Sequence, residues 1–581
     1  MKDWRDQLKV IKDELAPRNA TSNDGVPRPP AAGSQRSRQG TPQQVSRGPR
    51  SASSTTSQPI VSKHHGGRPT VHPRQPAPKD KPPQTRHHSK SQSAGQSEPL
   101  ARRSTPPKNA AAKVPTAEPT VPVSFRSIKP KALTRQGLYV EAPDWVNTGK
   151  HLTVGDAHSE QHATDVFIGI DFGTSYTKAA VGLMDAIFPV RWDGVHSAED
   201  ALTLPTEYSV VDASRAVLGQ HPSATRETVL VNLKHPFLMP AVSRPSICEA
   251  AVFLALVLRY VRAWTYKEHG DLLRHRQINW MVNLGTPSNG LEDEQLKSAY
   301  LRLVNLAWQL SLQDHVPGCL DSDNPQVLSW MANQPESLVD EPGLIPEFLA
   351  QVAGYVQSSQ RADGLHCLVD VGGGSLDVVT FSVIQRDGED RFAIWAPDVK
   401  PLGVHMLLQN RLVSANGRAI EQVDPIACAL DESAFAQETG MSSESVQARD
   451  RLLEQEVEKV VRGVVAKTKS TRYRLSLSWT NGLRVFMSGG GGALNQYRRP
   501  VDRGVGKVAQ RVNMLDIPRH NKVAEHLFSA GSYHRISVAC GLAQDPFNFG
   551  TLTAAKDIED DTALGSVYVR PRLDRDELYA K

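Results

Sequence analysis

The sequence predicts an α/β fold built from two related halves over roughly residues 160–546, behind a long basic N-terminal region. Three observations predict it. From Asp165 onward, apolar runs (VFIGI, INWMVNL, HCLVDV, LRVFMSGG) alternate with long helical stretches, the texture of buried strands covered by helices. One strand–loop–strand pattern occurs twice, about 200 residues apart. A third strand runs into four consecutive glycines and then a helix.

The chain ahead of this unit has a different composition. Residues 17–135 hold 21 Lys or Arg against four Asp or Glu and are crowded with Pro, Ser, Gln, Thr and Gly. Such a segment buries too little apolar surface to offset chain entropy, so a disordered linker is expected. The net charge of +5 therefore conceals a balance near −12 over residues 136–581. The basic stretch suits a nucleic acid or an acidic surface through counterion release, or serves only as a solvated tether. In residues 1–16, Trp4, Leu8, Ile11 and Leu15 recur at helical spacing among charged residues. An amphipathic helix so short is marginal alone, and its apolar stripe is expected to dock on a protein partner. Residues 136–160 read as an irregular lead-in and 547–581 as a charged tail.

Five widely spaced cysteines without a CxxC pair point to a reduced, cytoplasmic protein, and no stretch has the length of a signal-peptide core or a membrane span. Helices are expected at residues 246–269, 291–312, 346–358 and 445–470.

The chemistry is carried by the loops. In VFIGIDFGTSYTKAAVG (166–182) a strand ends at Asp171, a tight turn follows through Gly173, Thr174, Ser175 and Tyr176, and a second strand begins. Gly173 lets backbone approach a phosphate, the hydroxyls and turn N–H groups supply donors, and Asp171 can reach a hydrated Mg²⁺. Alone this is weak, because hairpin turns with Asp-x-Gly are common. HCLVDVGGGSLDVVTFSV (366–383) repeats it with Asp370, Gly372, Gly373, Gly374, Ser375 and Asp377. Two such hairpins would hold polyphosphate from opposite sides, with Mg²⁺ between them. In RVFMSGGGGALNQYRRPV (484–501), Gly489, Gly490 and Gly491 would let the chain lie flat against a purine or ribose. A dinucleotide-binding turn looks similar, but no acidic residue stands at the expected later strand end.

In this order and spacing, the three stretches resemble the phosphate 1, phosphate 2 and adenosine motifs of the actin, Hsp70 and sugar-kinase superfamily, over about 380 residues. The resemblance implies a two-lobed actin-like ATPase fold of duplicated ribonuclease H-like domains, lobe I at 161–358 and lobe II at 359–546, with ATP or ADP and Mg²⁺ in the cleft. LPTEYSV (204–210) and VNLGTPSN (282–289) look closest to the Hsp70 first lobe. By the same likeness, Asp171 and Asp377 would hold Mg²⁺ through waters. Glu347, eight residues before Tyr355, would orient the attacking water, with Glu341 of the literal Glu-Pro pair as the alternative. Lys234 resembles the phosphate-facing lysine of Hsp70s, whereas Lys178 stands where actins and plasmid-segregation filaments carry theirs. Ala539 and Gly541 supply the small residues that a close helix crossing at a hinge needs. Lys467 is a further candidate for the base pocket.

Departures accompany the matches. PLGVHMLLQNRL (401–412) has Val404 and Met406 where a second Gly and an acidic residue are usual. About 86 residues separate Gly403 from Gly489, too few for the full upper part of an Hsp70 second lobe. Only some 36 residues follow Asp545, so the peptide-binding part of a standard Hsp70 chaperone is not expected. The expectation is an ATP-dependent switch that engages a partner; a self-associating, filament-forming actin homologue and a non-catalytic nucleotide-binding scaffold remain open beside it.

Overall fold

The computed structural model describes residues 140–154, 163–195, 201–225, 228–239, 241–274, 276–386, 388–412, 431–528 and 533–558. The amphipathic segment 1–16, the basic stretch 17–135 and residues 559–581 lie outside the described residues.

The fold is α/β with mixed sheets. Strands β1 (Thr164–Asp171), β2 (Tyr176–Leu183) and β3 (Ala186–Pro189) form a meander, and β4 (Leu204–Pro205) pairs with the start of β2. A small sheet of β5 (Glu207–Asp212), β6 (Arg215–Leu218) and β7 (Val229–Val231) follows. The chain then passes through helix α1 (Arg244–Leu273), β8 (Ile278–Thr286), α2 (Glu294–Ser311), α3 (Pro325–Ala332), β9 (Gly343–Pro346) and α4 (Glu347–Val356). A second meander, β10 (Gly364–Val371), β11 (Leu376–Arg386) and β12 (Glu389–Lys400), leads to α5 (Val404–Leu412), α6 (Glu432–Thr439) and α7 (Ser443–Lys467). Strand β13 (Leu483–Ser488), α8 (Asn495–Gly506), β14 (Val512–Leu515), α9 (Tyr533–Leu542) and β15 (Thr551–Thr553) complete the order.

Strand directions repeat between the two large sheets. The first has the order β3-β2-β1-β8-β9, in which β1 pairs antiparallel with β2 and parallel with β8. The second has β12-β11-β10-β13-β14, in which β10 pairs antiparallel with β11 and parallel with β13. Strand β15 adds a parallel edge to β12, in the segment read from sequence as a tail.

Several helices start where a side chain can satisfy their free amides. Ser243 caps α1, Asp293 accepts from Gln295 and Leu296 at the head of α2, and Ser442 caps α7. One core lies between the first sheet and α1 with α2, around Trp192, Trp280 and Trp308. Another lies between the second sheet and α7 with α8. Helices α4 and α9 form the layer shared by both sheets, packed against Ala180 and Ile187 of the first and Leu368, Val379 and Phe381 of the second. Close approach there depends on missing side chains: a β-carbon at Gly541 of α9 would overlap the Ala350 carbonyl of α4, and one at Gly169 would lie 2.5 Å from the Ala539 oxygen. The small residues at the SVACGLA segment thus stand at a helix crossing, as its sequence anticipates.

The lead-in differs from its sequence reading as irregular. Asp144–Lys150 is a short 3-10 helix laid on α1. Trp145 meets the Tyr260 ring at 5.3 Å, Arg262 Nε donates to the Gly149 carbonyl at 2.7 Å, and Lys150 pairs with Asp314 at 2.8 Å. The sequence shows no periodicity here, because a 3-10 helix of seven residues anchored by a single tryptophan is too short to display one.

Candidate functional site

The β1–β2 and β10–β11 hairpins end in the same way. Antiparallel register places Asp171 opposite Lys178 in one and Asp370 opposite Asp377 in the other. In the first turn, a β-carbon at Gly173 would overlap the Tyr176 carbonyl, so only glycine lets the chain fold back so tightly. Thr206 steadies this turn, its hydroxyl donating to the Gly173 carbonyl at 2.8 Å and its N–H to the Ser175 carbonyl at 3.0 Å. The second turn closes by Gly372 N–H to the Ser375 carbonyl, 2.9 Å.

The two turns meet. A β-carbon at Gly373 would overlap Ser175 Oγ, and one at Gly374 would lie 3.0 Å from Thr174 Cγ2. Thr174, Ser175, Gly373 and Gly374 are therefore neighbours, although about 200 residues separate them in sequence. The glycine run after β13 also reaches this point. A β-carbon at Gly489, which has φ +76°, would overlap Asp370 Oδ1 and the Val371 carbonyl, Gly491 N–H donates to that carbonyl at 2.9 Å, and Gly490 faces open space.

Two lysines and four acids sit behind the turns. Lys178 Nζ pairs with Asp171 Oδ2 at 3.0 Å, and Lys234 Nζ with Glu347 Oε1 at 2.6 Å, both pairs largely buried. Lys234 is delivered by an unusual turn: Asn232 adopts φ +59°, and the following 3-10 turn His235–Leu238 buries Phe237 against Phe172 and Tyr300. Burial works against the charge of Lys234, yet Glu347, then Tyr300 and Asp171, raise its pKa above the ordinary lysine value. The lysines left as alternatives by the sequence thus both stand in the site. Of the two candidate glutamates, Glu347 opens α4 in this buried pair, whereas Glu341 is exposed in the preceding loop.

Burial pushes Asp370 up to about 7, with the charges of Glu347 and Asp171 adding to the effect. It also pushes Asp377 up to about 7, against the Ser288 hydrogen bonds and with Asp370 and Glu347 adding. Each keeps one oxygen bonded. Gln351 Nε2 donates to Asp370 Oδ2 at 2.8 Å, and Ser288 Oγ and N–H donate to Asp377 Oδ2 at 2.9 and 3.2 Å. The other oxygen of each, Oδ1, is buried with no hydrogen-bond partner. An unbonded buried carboxylate oxygen is costly, and a proton or a hydrated cation would relieve it. Among the described residues, no group of three or more His, Cys, Asp or Glu is arranged to hold a metal directly. Coordination through water remains compatible with these two acids.

Three residues of the site escaped the sequence reading. Gln351 stands four residues after Glu347, one helical turn on, which was a usable signal. Ser288 follows β8 in VNLGTPSN, a segment noted for its likeness to the Hsp70 first lobe and not for this serine. His405, whose Nε2 lies 2.8 Å from Ser175 Oγ, belongs to the stretch noted for its departures. Lys467, the further candidate for the base pocket, is exposed at the end of α7. No protein-family model matches this chain, and no curated protein matches it.

Proposed function

We propose that this chain is an ATP-binding, Hsp70-like switch with a two-lobed actin-type fold, a slow Mg²⁺-dependent ATPase whose nucleotide state controls engagement of a partner protein. The observation that carries this reading is the repeated hairpin. Two loops of the same pattern, each following a strand that ends in an aspartate, meet at their turns, with Lys178 paired to Asp171 and Lys234 to Glu347. Positioning and electrostatics do most of the work in phosphoryl transfer, so such an arrangement suffices in kind. Asp377, through its unbonded oxygen, and Asp171, once released from Lys178, would hold hydrated Mg²⁺. Bound there, Mg²⁺ would neutralise phosphate charge. Thr174, Ser175 and Ser375 would donate to phosphate oxygens, a lysine would face the terminal phosphate, and Glu347 would orient the attacking water.

A filament-forming reading draws on Lys178, which pairs with Asp171 where the family's filament members carry their lysine. Both readings are tested by titrating and assaying the full chain with ATP, with and without Mg²⁺, and sedimenting the same sample in ATP and ADP. Soluble, Mg²⁺-dependent turnover supports the switch, and nucleotide-dependent pelleting supports the filament. Asp171→Asn and Asp377→Ala are expected to reduce turnover at least about 10-fold, and more than they reduce ATP binding. Unchanged turnover in both variants would falsify the assignment.

A further inference from the structure

The start of α5 is built onto the second glycine turn. N–H groups of Gly403, Val404 and His405 donate to the carbonyls of Gly374, Gly372 and Gly373 at 3.4, 3.0 and 2.8 Å. From that fixed base the His405 side chain reaches the opposite hairpin, where Nε2 meets Ser175 Oγ at 2.8 Å. Ser175 Oγ is consequently wedged between the Gly373 backbone and the imidazole: a β-carbon at Gly373 would overlap Oγ and lie 3.4 Å from Nε2. A phosphate group held between the two turns needs the space this hydroxyl fills.

We propose that His405 is a phosphate-contacting residue that discriminates ATP from ADP: the terminal phosphate displaces Ser175 Oγ from Nε2 and takes its place as the imidazole's partner. The inference rests on the nucleotide reading above and adds a residue to it. Two features make the exchange economical. His405 has a backbone already pinned to the glycine turn, so little ordering is needed when phosphate arrives. Its imidazole presents Nε2 toward the first turn and can act there as a donor, whereas a serine hydroxyl is an interchangeable partner. Without nucleotide, the same bond ties the turns together and leaves no room between them; with nucleotide, the terminal phosphate bridges them instead. ADP has no group to make that exchange.

The test uses the full chain and measures dissociation constants for Mg-ATP and Mg-ADP by titration calorimetry in the wild type, His405→Ala, His405→Leu and His405→Gln, with melting curves to establish folding. The wild type is expected to prefer ATP. His405→Ala and His405→Leu should weaken ATP about 10-fold or more with little change for ADP, and His405→Gln, which keeps a donor, should recover part of the preference. Folded variants in which ATP and ADP weaken equally, or not at all, overturn the role of His405 and leave the nucleotide reading standing. A wild type that binds neither nucleotide overturns both. Should His405→Ala fail to fold, the Leu and Gln variants carry the comparison.

Discussion

Asp377 shows how a buried carboxyl weighs on the stability of the fold. Its pKa, raised by burial from an ordinary carboxylate value to about 7, means that the folded chain holds a proton that the unfolded chain releases near pH 4. The contribution to stability is therefore full below pH 4 and is lost as pH rises through about 7, at no more than about 1.4 kcal/mol per pH unit. Asp370 stands opposite in register and titrates in the same range, so the two share the effect. His366, stacked at 5.3 Å on Phe381 and lowered to about 4 by burial, acts oppositely, losing stability as pH falls below 6.5. A comparison with a variant cancels that background. Asp377→Asn keeps an acceptor for Ser288 but carries no charge. In urea denaturation without Mg²⁺ it should match the wild type near pH 4 and exceed it by about 2 kcal/mol at pH 8. Mg-ATP should then stabilise both proteins, the variant less than the wild type. An equal difference at both pH values would show that Asp377 is not strained by burial. The acids themselves were legible only through the repeat of the pattern, because a single Asp-x-Gly hairpin turn is common. Their partners were less so: Ser288 comes from another strand end, and only the fold brings it to Asp377.

At the scale of elements, the hairpins and long helices follow from local pattern, and crossings follow from what a residue lacks. The sequence expectation of helices at 246–269 and 445–470 lies within a few residues of α1 and α7, since their apolar periodicity and caps are local. The stretch LPTEYSV instead splits into β4 and β5 at Thr206, whose hydrogen bonds to the first turn take it out of the sheet. No local signal marks that break. The crossing of α4 and α9 was readable in kind from Ala539 and Gly541, while its partner Ala350 was not. Gly541→Val would set a side chain against the Ala350 carbonyl in a layer that both sheets share. Destabilisation of about 1–3 kcal/mol or more is expected from overpacking, seen as a lower melting temperature. If α4 and α9 also transmit lobe movement, Gly541→Ala should reduce ATP turnover more than ATP affinity; parallel loss of both would make the crossing purely structural.

For the whole molecule, the boundary of the folded unit lies earlier than the change in sequence texture suggests. Composition shifts at Asp165, yet the turn at Asp144–Lys150 closes part of the first core. Arg262 explains why it matters. This guanidinium is completely buried, sits over the Trp308 ring at 4.5 Å, and is lowered by burial to about 9. Its acceptors are the Gly149 carbonyl and the carbonyl and hydroxyl of Ser311, so the lead-in supplies one of the few groups that offset its desolvation. Trp280 Nε1 and Tyr266 Oη likewise donate to the Leu152 and His151 carbonyls, at 2.9 and 2.7 Å. Deleting residues 140–154 from the full chain should therefore cost several kcal/mol, since three buried or half-buried donors lose acceptors together. Gly149→Val, which sets a side chain against the Arg259 carbonyl, should reproduce much of that loss without shortening the chain. Neither change touches the hairpin turns, so wherever the protein remains folded its affinity for Mg-ATP should stay within about 2-fold of the wild type, a difference of under about 0.5 kcal/mol. Melting curves and nucleotide titrations on the same samples check this. A stable deletion would mean that the lead-in is dispensable, and a stable fold with weakened ATP binding would mean that it acts on the hairpin turns through α1.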